Sequence, residues 1–466
     1  MIIFAQPMYS RAELNSDSNY VLISSLIRAM ANVRPSWHFI LPFPDNKSGF
    51  KYDDDGFFKL SNVTRIPQRL NPRRHGGAVH YDSLWYDRLM KTTAIDIVWC
   101  NLVEMAGNIK HAGEATYNDT FKPVVIAHHH YVVHESLPYP IEAMENIRWM
   151  QLTGAVNADA NIFHSDHCKS MLLDNAKELL SPVSVKKIKL NARSAPLGVL
   201  ETTLSPVFKN NKEPVIVYNH RLQGYKRWRE TFDMLDEIYK EGTKFKVRFT
   251  SSTKENLSHI LKYPFVEVSL GATREDYIKN ITGCDLNVTN SSHETFCISA
   301  VESMALGQPL VAPDGITFPQ ITGRETTKYP YLFKNKAQQK KMLIKLLRDR
   351  SERQKWGQIL SDHVLANFTH DVWAARLADI FEEFDANVRV KISKSDAEEM
   401  SIDQMDKNDG NEFKRFYRAV TSSKVNGRSP FGQQSLPYSK ASRLVRRLGG
   451  QIIMSGGKQI LKAPKN

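Results

Sequence analysis

The stretch HETFCISAVESMALGQPLVAP, from His293 to Pro313, places two glutamates, Glu294 and Glu302, on either side of a turn into a helical run. Just upstream, CDLNVTN reads as a buried strand and SSHE as the loop leaving it. FCISAVESMAL then reads as a helix, with Gly307 where a C-terminal cap belongs, and PLVAP as the next strand. At about 1.5 Å of rise per residue, Glu302 lies roughly a turn inside the helix, while Glu294 stands in the loop at its mouth. The backbone N–H groups of Phe296, Cys297, Ile298 and Ser299 open onto the same space. An isolated pair of acids at this spacing is most simply a pair of helix charges favoured by the dipole. The surrounding chain argues otherwise.

Outward from this unit, short Val- and Ile-rich segments recur: MIIFAQ, WHFILPF, AIDIVWC, PVVIAHHH and ANIFHSD, then PVIVYNH, FKVRFT, FVEVSL, CDLNVTN and PLVAP. Helical runs such as NYVLISSLIRAMANV, DHCKSMLLDNAKELL and YKRWRETFDMLDEIYKE lie between them. Strand followed by helix, repeated, implies an α/β protein whose parallel sheets are covered on both faces. The alternation restarts at Val215, so the domain junction falls at about 200–213. The expected organisation is an N-terminal domain over 1–205, a second over 206–369, a closing helix over 370–385, a polar linker over 386–412 and a basic tail over 413–466. The natural ligand site is the cleft between the two sheets.

In PVIVYNHRLQGYKRWRETF a strand ends near Asn219, a loop carries His220, Arg221 and Gly224, and a helix begins near Tyr225. Arg221 and Lys226 thus share a sheet edge with the glutamate loop. Two fixed cations there suit a diphosphate that leaves with growing charge. Carboxylates at the same corner accept hydrogen bonds from vicinal hydroxyls, so a nucleotide sugar is held at its sugar and ribose ends. Strand–HR…YK–helix followed by HETFxxxxxESMAxGxPLVAP resembles the retaining, GT-B-fold glycosyltransferases of the glycogen-synthase and sucrose-synthase-like (GT4-like) group. The resemblance implies two Rossmann-like domains facing across a cleft, with the nucleotide-sugar donor held mainly by the second. It further implies Arg221 and Lys226 on the diphosphate, Glu294 on donor-sugar hydroxyls and Glu302 on the ribose. Transfer is then front-face, with the leaving phosphate helping to deprotonate the acceptor. UDP-glucose is the expected donor, and neither a bound cofactor nor a metal is expected. Cys297 replaces the small residue usual after the motif phenylalanine and narrows the passage beside the sugar. In place of a Gly-rich first loop stands PMYSRAELNSDSN, where Ser16, Ser18 and Asn19 are the residues suited to cap a helix or touch phosphate.

His128, His129 and His130 follow a buried strand and are expected at its carboxyl edge. The resemblance places a histidine near the donor sugar here, and the apolar run matches His129 first and His130 next. Packing and metal binding compete with this reading, but adjacent strand residues alternate faces and no acidic or Cys ligand lies close in sequence.

Composition bears on the acceptor. The 466 residues carry a formal charge of +13 and four cysteines with no CxxC pair, which fits a reducing compartment. No basic, apolar leader opens the chain, and no stretch reaches about 18 uncharged apolar residues. A cytoplasmic location is therefore expected, with a peripheral membrane location as the alternative. From Phe413 onward the chain has no Asp or Glu, and aromatic residues interleave with cations including Lys414, Arg415, Arg418, Arg446 and Arg447. A second basic patch, RIPQRLNPRRHGG, contains Arg69, Arg73 and Arg74. Cations bind phosphate backbones and aromatics stack on bases, so the tail favours double-stranded DNA. The resulting expectation is an enzyme similar to bacteriophage DNA-modification enzymes that glucosylate hydroxymethylated pyrimidines. The alternative is transfer to a lipid-linked or cell-envelope polysaccharide acceptor at an anionic membrane surface. A solubilising tail and a non-catalytic GT-B scaffold are the bland readings, and the intact Arg221, Lys226, Glu294 and Glu302 oppose the second.

Overall fold

Segments whose every residue is Val, Ile or another apolar side chain can be strands only where both faces are covered. A computed structural model, which describes residues 1–6, 13–44, 49–68, 93, 95–117, 123–133, 141–198, 204–250, 256–270, 274–399, 451–455 and 458–462, places them in that setting. The first sheet contains β1 (Ile2–Gln6), β2 (His38–Pro44), β3 (Val63–Gln68), β4 (Ile97–Cys100), β5 (Val124–His129), β6 (Ala160–Phe163) and β7 (Ala192–Ser194). Their order is β3-β2-β1-β4-β5-β6-β7. The second contains β8 (Val215–Tyr218), β9 (Lys246–Phe249), β10 (Val266–Val268), β11 (Leu286–Val288), β12 (Leu310–Pro313) and β13 (Leu332–Phe333), ordered β10-β9-β8-β11-β12-β13. All pairings in both sheets are parallel, and β4 and β8 are buried at every residue. These are the two Rossmann-like sheets of a GT-B fold.

Each sheet reverses its winding once, between β1 and β4 and between β8 and β11. Loops leaving the two strands at such a point diverge and open a crevice at their carboxyl ends. The ten apolar segments all become strands. The three that the apolar pattern does not announce, β3, β7 and β13, lie at sheet edges. An edge strand needs neither two covered faces nor every backbone donor, which is why β3 tolerates Pro67 and exposes Thr64 and Arg65.

The helix Ile298–Ala305 ends as its sequence suggests. Gly307 has φ +82°, its N–H reaches the Met304 carbonyl and the N–H of Gln308 reaches that of Ser303. The helix Arg350–Asn367 crosses this cap so closely that a Cβ at Gly357 would collide with the Gly307 carbonyl. Gly357→Ala should therefore lower stability by about 1–3 kcal/mol, read as a reduced urea midpoint.

The closing helix runs His370–Glu399, past the boundary expected at 385. It packs back on the first domain: Phe381 stacks on Trp37 at 6.2 Å, Glu382 pairs with Arg34 at 2.7 Å and Glu383 with Arg193 at 2.5 Å. The helix Ser18–Val33 is capped by Asp17, whose carboxylate accepts the backbone N–H groups of Asn19 at 2.8 Å and Tyr20 at 3.4 Å. A fully buried acid thus occupies the helix entrance at which Ser18 and Asn19 were expected to meet donor phosphate, and the like charge opposes that contact. In the tail, β14 (Gln451–Ser455) and β15 (Lys458–Lys462) form a separate antiparallel hairpin. Arg69, Arg73, Arg74, Lys414, Arg415, Arg418, Arg446 and Arg447 lie outside the described residues.

Candidate active site

The loop after β8 and the loop after β11 leave the second sheet on the two sides of its switch point. The first passes through Asn219, His220 and Arg221 into a tight turn over Gly224–Lys226 and then the helix Trp228–Lys240. The second passes through His293, Glu294 and Phe296 into the helix Ile298–Ala305. Each helix is entered through a non-glycine residue in the left-handed region, Arg227 at φ +46° and Cys297 at φ +73°. Backbone strain of this kind costs about 1 kcal/mol or more per residue and persists where the surroundings demand the geometry. The helix Ile298–Ala305 has no side-chain cap.

Between these loops, Lys226 Nζ contacts Glu294 Oε1 at 2.5 Å, with both side chains about nine-tenths buried. Burial works against the charge of each, yet the partner outweighs it. Lys226 is raised by the Glu294 carboxylate, and Glu294 is held below the usual carboxylate range by Lys226, with a smaller effect from His220. Arg221 is exposed at the rim.

Glu302 is clamped from the other side, by Arg274 at 2.6 Å and by the Tyr277 hydroxyl at 2.8 Å. The chain of contacts continues inward. Asn219 Nδ2 donates to the Tyr277 oxygen at 2.9 Å and to the Ser299 carbonyl at 3.0 Å, and Ser299 Oγ lies 3.1 Å from His220 Nδ1. Lys226, Glu294, Cys297, Ser299 and Glu302, expected from sequence, therefore form one connected site. Phe296 instead packs inward against Phe368. Asn219, Arg274 and Tyr277 also belong to this network but carry no local signal, because the end of β8 and the helix Arg274–Ile281 bring them in from far along the chain. A polar Asn closing the run VIVY was the one available hint.

His220, Glu294 and Cys297 bring potential ligand atoms within 4.8 Å of one another. The set does not suit a metal ion. Burial, then Glu294, pushes the Cys297 thiol well up, and the Lys226 ammonium already neutralises the carboxylate.

His128 and His129 close β5 and His130 follows it, and alternation puts His129 on one face and His128 and His130 on the other. His129 is fully buried, stacked on Phe163 at 4.4 Å and joined to Asn161 at 2.9 Å, so its ring serves the first domain's interior. His130 is half-buried on the opposite side, with ring nitrogens 2.8 Å from Asn101 Oδ1 and 3.0 Å from His164. Its carbonyl accepts from Thr295 Oγ1 at 3.2 Å, and Ser165 Oγ donates to the Thr295 carbonyl at 2.6 Å. The residue after Glu294 is thus pinned to the first domain beside His130, the second choice from sequence.

Burial depresses several imidazoles: His129 to about 4, His370 to about 4 with help from Arg274, and His220 to about 3 with help from Lys226. Such groups are neutral in the folded chain, while the unfolded chain takes up protons below about pH 6.5. Their stability contribution is complete above that value and is lost as pH falls towards 4. The urea midpoint should fall steadily between about pH 7 and pH 5. A flat profile would contradict the burial of these rings.

Residues 201–360 match the family described as Glycosyl transferases group 1. Similar solved structures include a sucrose-phosphate synthase from Thermosynechococcus elongatus, at TM-score 0.63 and 14% identity over 83% of this chain and 100% of that one. The apo form of the lipopolysaccharide outer core galactosyltransferase WaaB gives 0.56 and 14% over 82% and 99%. Anabaena HepE in complex with UDP and glucose gives 0.56 and 12% over 82% and 99%. None of the curated proteins matches in sequence. Among the described residues no helix is long and apolar enough to cross a membrane. The DNA expectation is corrected by these similarities. One of these structures is named for a lipopolysaccharide outer core and none for DNA, so the hydroxymethylated-pyrimidine acceptor and the bacteriophage DNA-modification reading are withdrawn. Positive charge attracts any polyanion and does not distinguish DNA from a membrane. Residues 201–360, on the second sheet, thus carry a domain of the Glycosyl transferases group 1 family, and the GT-B arrangement around it supports a nucleotide-sugar-dependent glycosyltransferase activity.

Proposed function

We propose that the enzyme moves a hexose, glucose from UDP-glucose, with retention of configuration, to a hydroxyl of a lipid-linked or cell-envelope polysaccharide acceptor at an anionic membrane surface. The observation that carries the donor half is the buried Lys226–Glu294 pair at the β8/β11 switch point, beside an uncapped helix. A diphosphate offers Lys226 and the exposed Arg221 more negative charge than one carboxylate does, and so draws the ammonium away from Glu294. Glu294 then accepts hydrogen bonds from the donor-sugar hydroxyls, and Glu302 from the ribose. As the bond from the anomeric carbon to phosphate oxygen breaks, that oxygen gains charge, and the two cations stabilise it more than they did the ground state. It takes the proton of the acceptor hydroxyl on the same face, the new glycosidic bond forms there, and configuration is kept. In this reading 206–369 binds the donor, and 1–205 presents the acceptor on the side of His130.

The acceptor half is supported by the helix Pro182–Leu190 of the first domain. Val183 and Leu190 are 78% and 64% exposed, and Lys186, Lys187 and Lys189 are exposed on the same helix. Apolar tips interleaved with cations suit an anionic lipid surface. The similarity to a lipopolysaccharide galactosyltransferase points the same way. The test is a labelled-donor assay with several nucleotide sugars and with envelope lipid and polysaccharide extracts. Label from UDP-glucose should enter the lipid or polysaccharide fraction. Recovery of label only as free sugar, or only in a small water-soluble acceptor, would overturn the acceptor assignment.

A further inference from the structure

When Lys226 turns to the diphosphate, Glu294 loses its only described cation contact at 2.5 Å and remains in a site about nine-tenths buried. A buried carboxylate without its ion-pair partner costs several kcal/mol, and neutral sugar hydroxyls replace only part of that partner, so a further donor from the protein is favoured. Two side chains stand close enough: a ring nitrogen of His220, the Cys297 sulfur and a Glu294 oxygen lie within 4.8 Å of one another. The thiol is a weak donor. The imidazole is better placed. His220 is only 3% exposed, Ser299 Oγ lies 3.1 Å from its Nδ1, and its Nε2 has no hydrogen-bond partner. With the serine hydroxyl donating to Nδ1, the ring hydrogen sits on Nε2.

We infer that His220 is a positioning residue that takes hold of the Glu294 carboxylate through Nε2–H once the donor has drawn Lys226 away. The inference rests on the roles given above to Lys226 and Glu294. A buried, neutral imidazole is well matched to this task. It supplies a hydrogen bond without a fixed positive charge that would keep Glu294 from the sugar hydroxyls or compete with Lys226 for the phosphate. The backbone on which Ser299 stands is itself tied by Asn219, so the ring is oriented from below before the ligand arrives.

Substituents that imitate one ring nitrogen at a time separate this role from a packing role. The amide of His220→Gln reaches about as far as Nε2, whereas that of His220→Asn reaches only the Nδ1 position facing Ser299. His220→Asn should bind UDP within about twofold of the parent but hydrolyse UDP-glucose about 100-fold more slowly, the usual scale for a lost active-site donor. His220→Gln should recover to within about tenfold of the parent. The opposite order, with Asn as active as the parent and Gln impaired, would overturn the inference in favour of the Ser299 contact alone. So would loss of UDP affinity and turnover together in both variants. A parent protein that neither binds UDP nor hydrolyses any nucleotide sugar would instead defeat the donor reading itself, whatever the His220 variants do.

Discussion

Lys226→Ala is expected to lower turnover by about 100- to 1,000-fold, because the cation that stabilises the departing diphosphate is gone. The same change should destabilise the fold by about 3–5 kcal/mol, since it strands the Glu294 carboxylate in a site where only a tenth of its side chain meets solvent. Turnover and stability can be told apart by the second substitution. In the Lys226→Ala/Glu294→Ala double variant there is no orphan charge, so much of the lost stability should return while activity stays low. Urea unfolding of the parent, both single variants and the double variant closes the cycle. Strictly additive losses of stability would contradict a direct buried pair, and unchanged kinetics in a folded Lys226→Ala protein would remove Lys226 from the mechanism.

Glu302→Ala should act almost entirely on nucleotide binding. Its carboxylate is 4% exposed and already aligned by Arg274 and Tyr277, so it can present a fixed acceptor to the ribose hydroxyls without reaching the reacting carbon. Removing it leaves the Arg274 guanidinium without that partner and the ribose without its acceptor. UDP affinity should fall by about 10- to 100-fold, with kcat changed by less than about threefold. Glu294→Ala should show the converse, a large fall in kcat with UDP affinity nearly intact, because its contacts are with the sugar being transferred. Calorimetric UDP binding set beside donor turnover distinguishes the two. Equal losses of UDP affinity in both variants would sink the separate roles.

How much of this was legible beforehand follows from the range of the forces involved. Helix and strand periodicity, a glycine after a helix and an apolar run fit for a doubly covered strand are local properties. MIIFAQ, PVIVYNH and CDLNVTN therefore announced central strands, and Gly307 announced a helix end. The edge strands β3 and β7 lacked that signal because one side of each meets no neighbour. The polar residues Lys226, Glu294 and Glu302 stood out through their spacing and their resemblance to a family pattern, although Lys226 and Glu294 lie 68 positions apart.

What the amino-acid sequence determined by itself was thus the α/β class, the two-sheet division and the chemical types gathered at one sheet edge. Tertiary structure alone decided which of those groups touch. The pleat of β5 turned His129 inward and left His130 at the seam, since neighbouring strand residues must face opposite ways. Arg274 and Tyr277 reached Glu302 from the helix Arg274–Ile281, and Asn219 met Tyr277 from the end of β8, a convergence set by packing. The acceptor was misread because net charge is a long-range property, attracting any polyanion, and the identity of a partner is carried by shape and short-range contacts that composition does not encode.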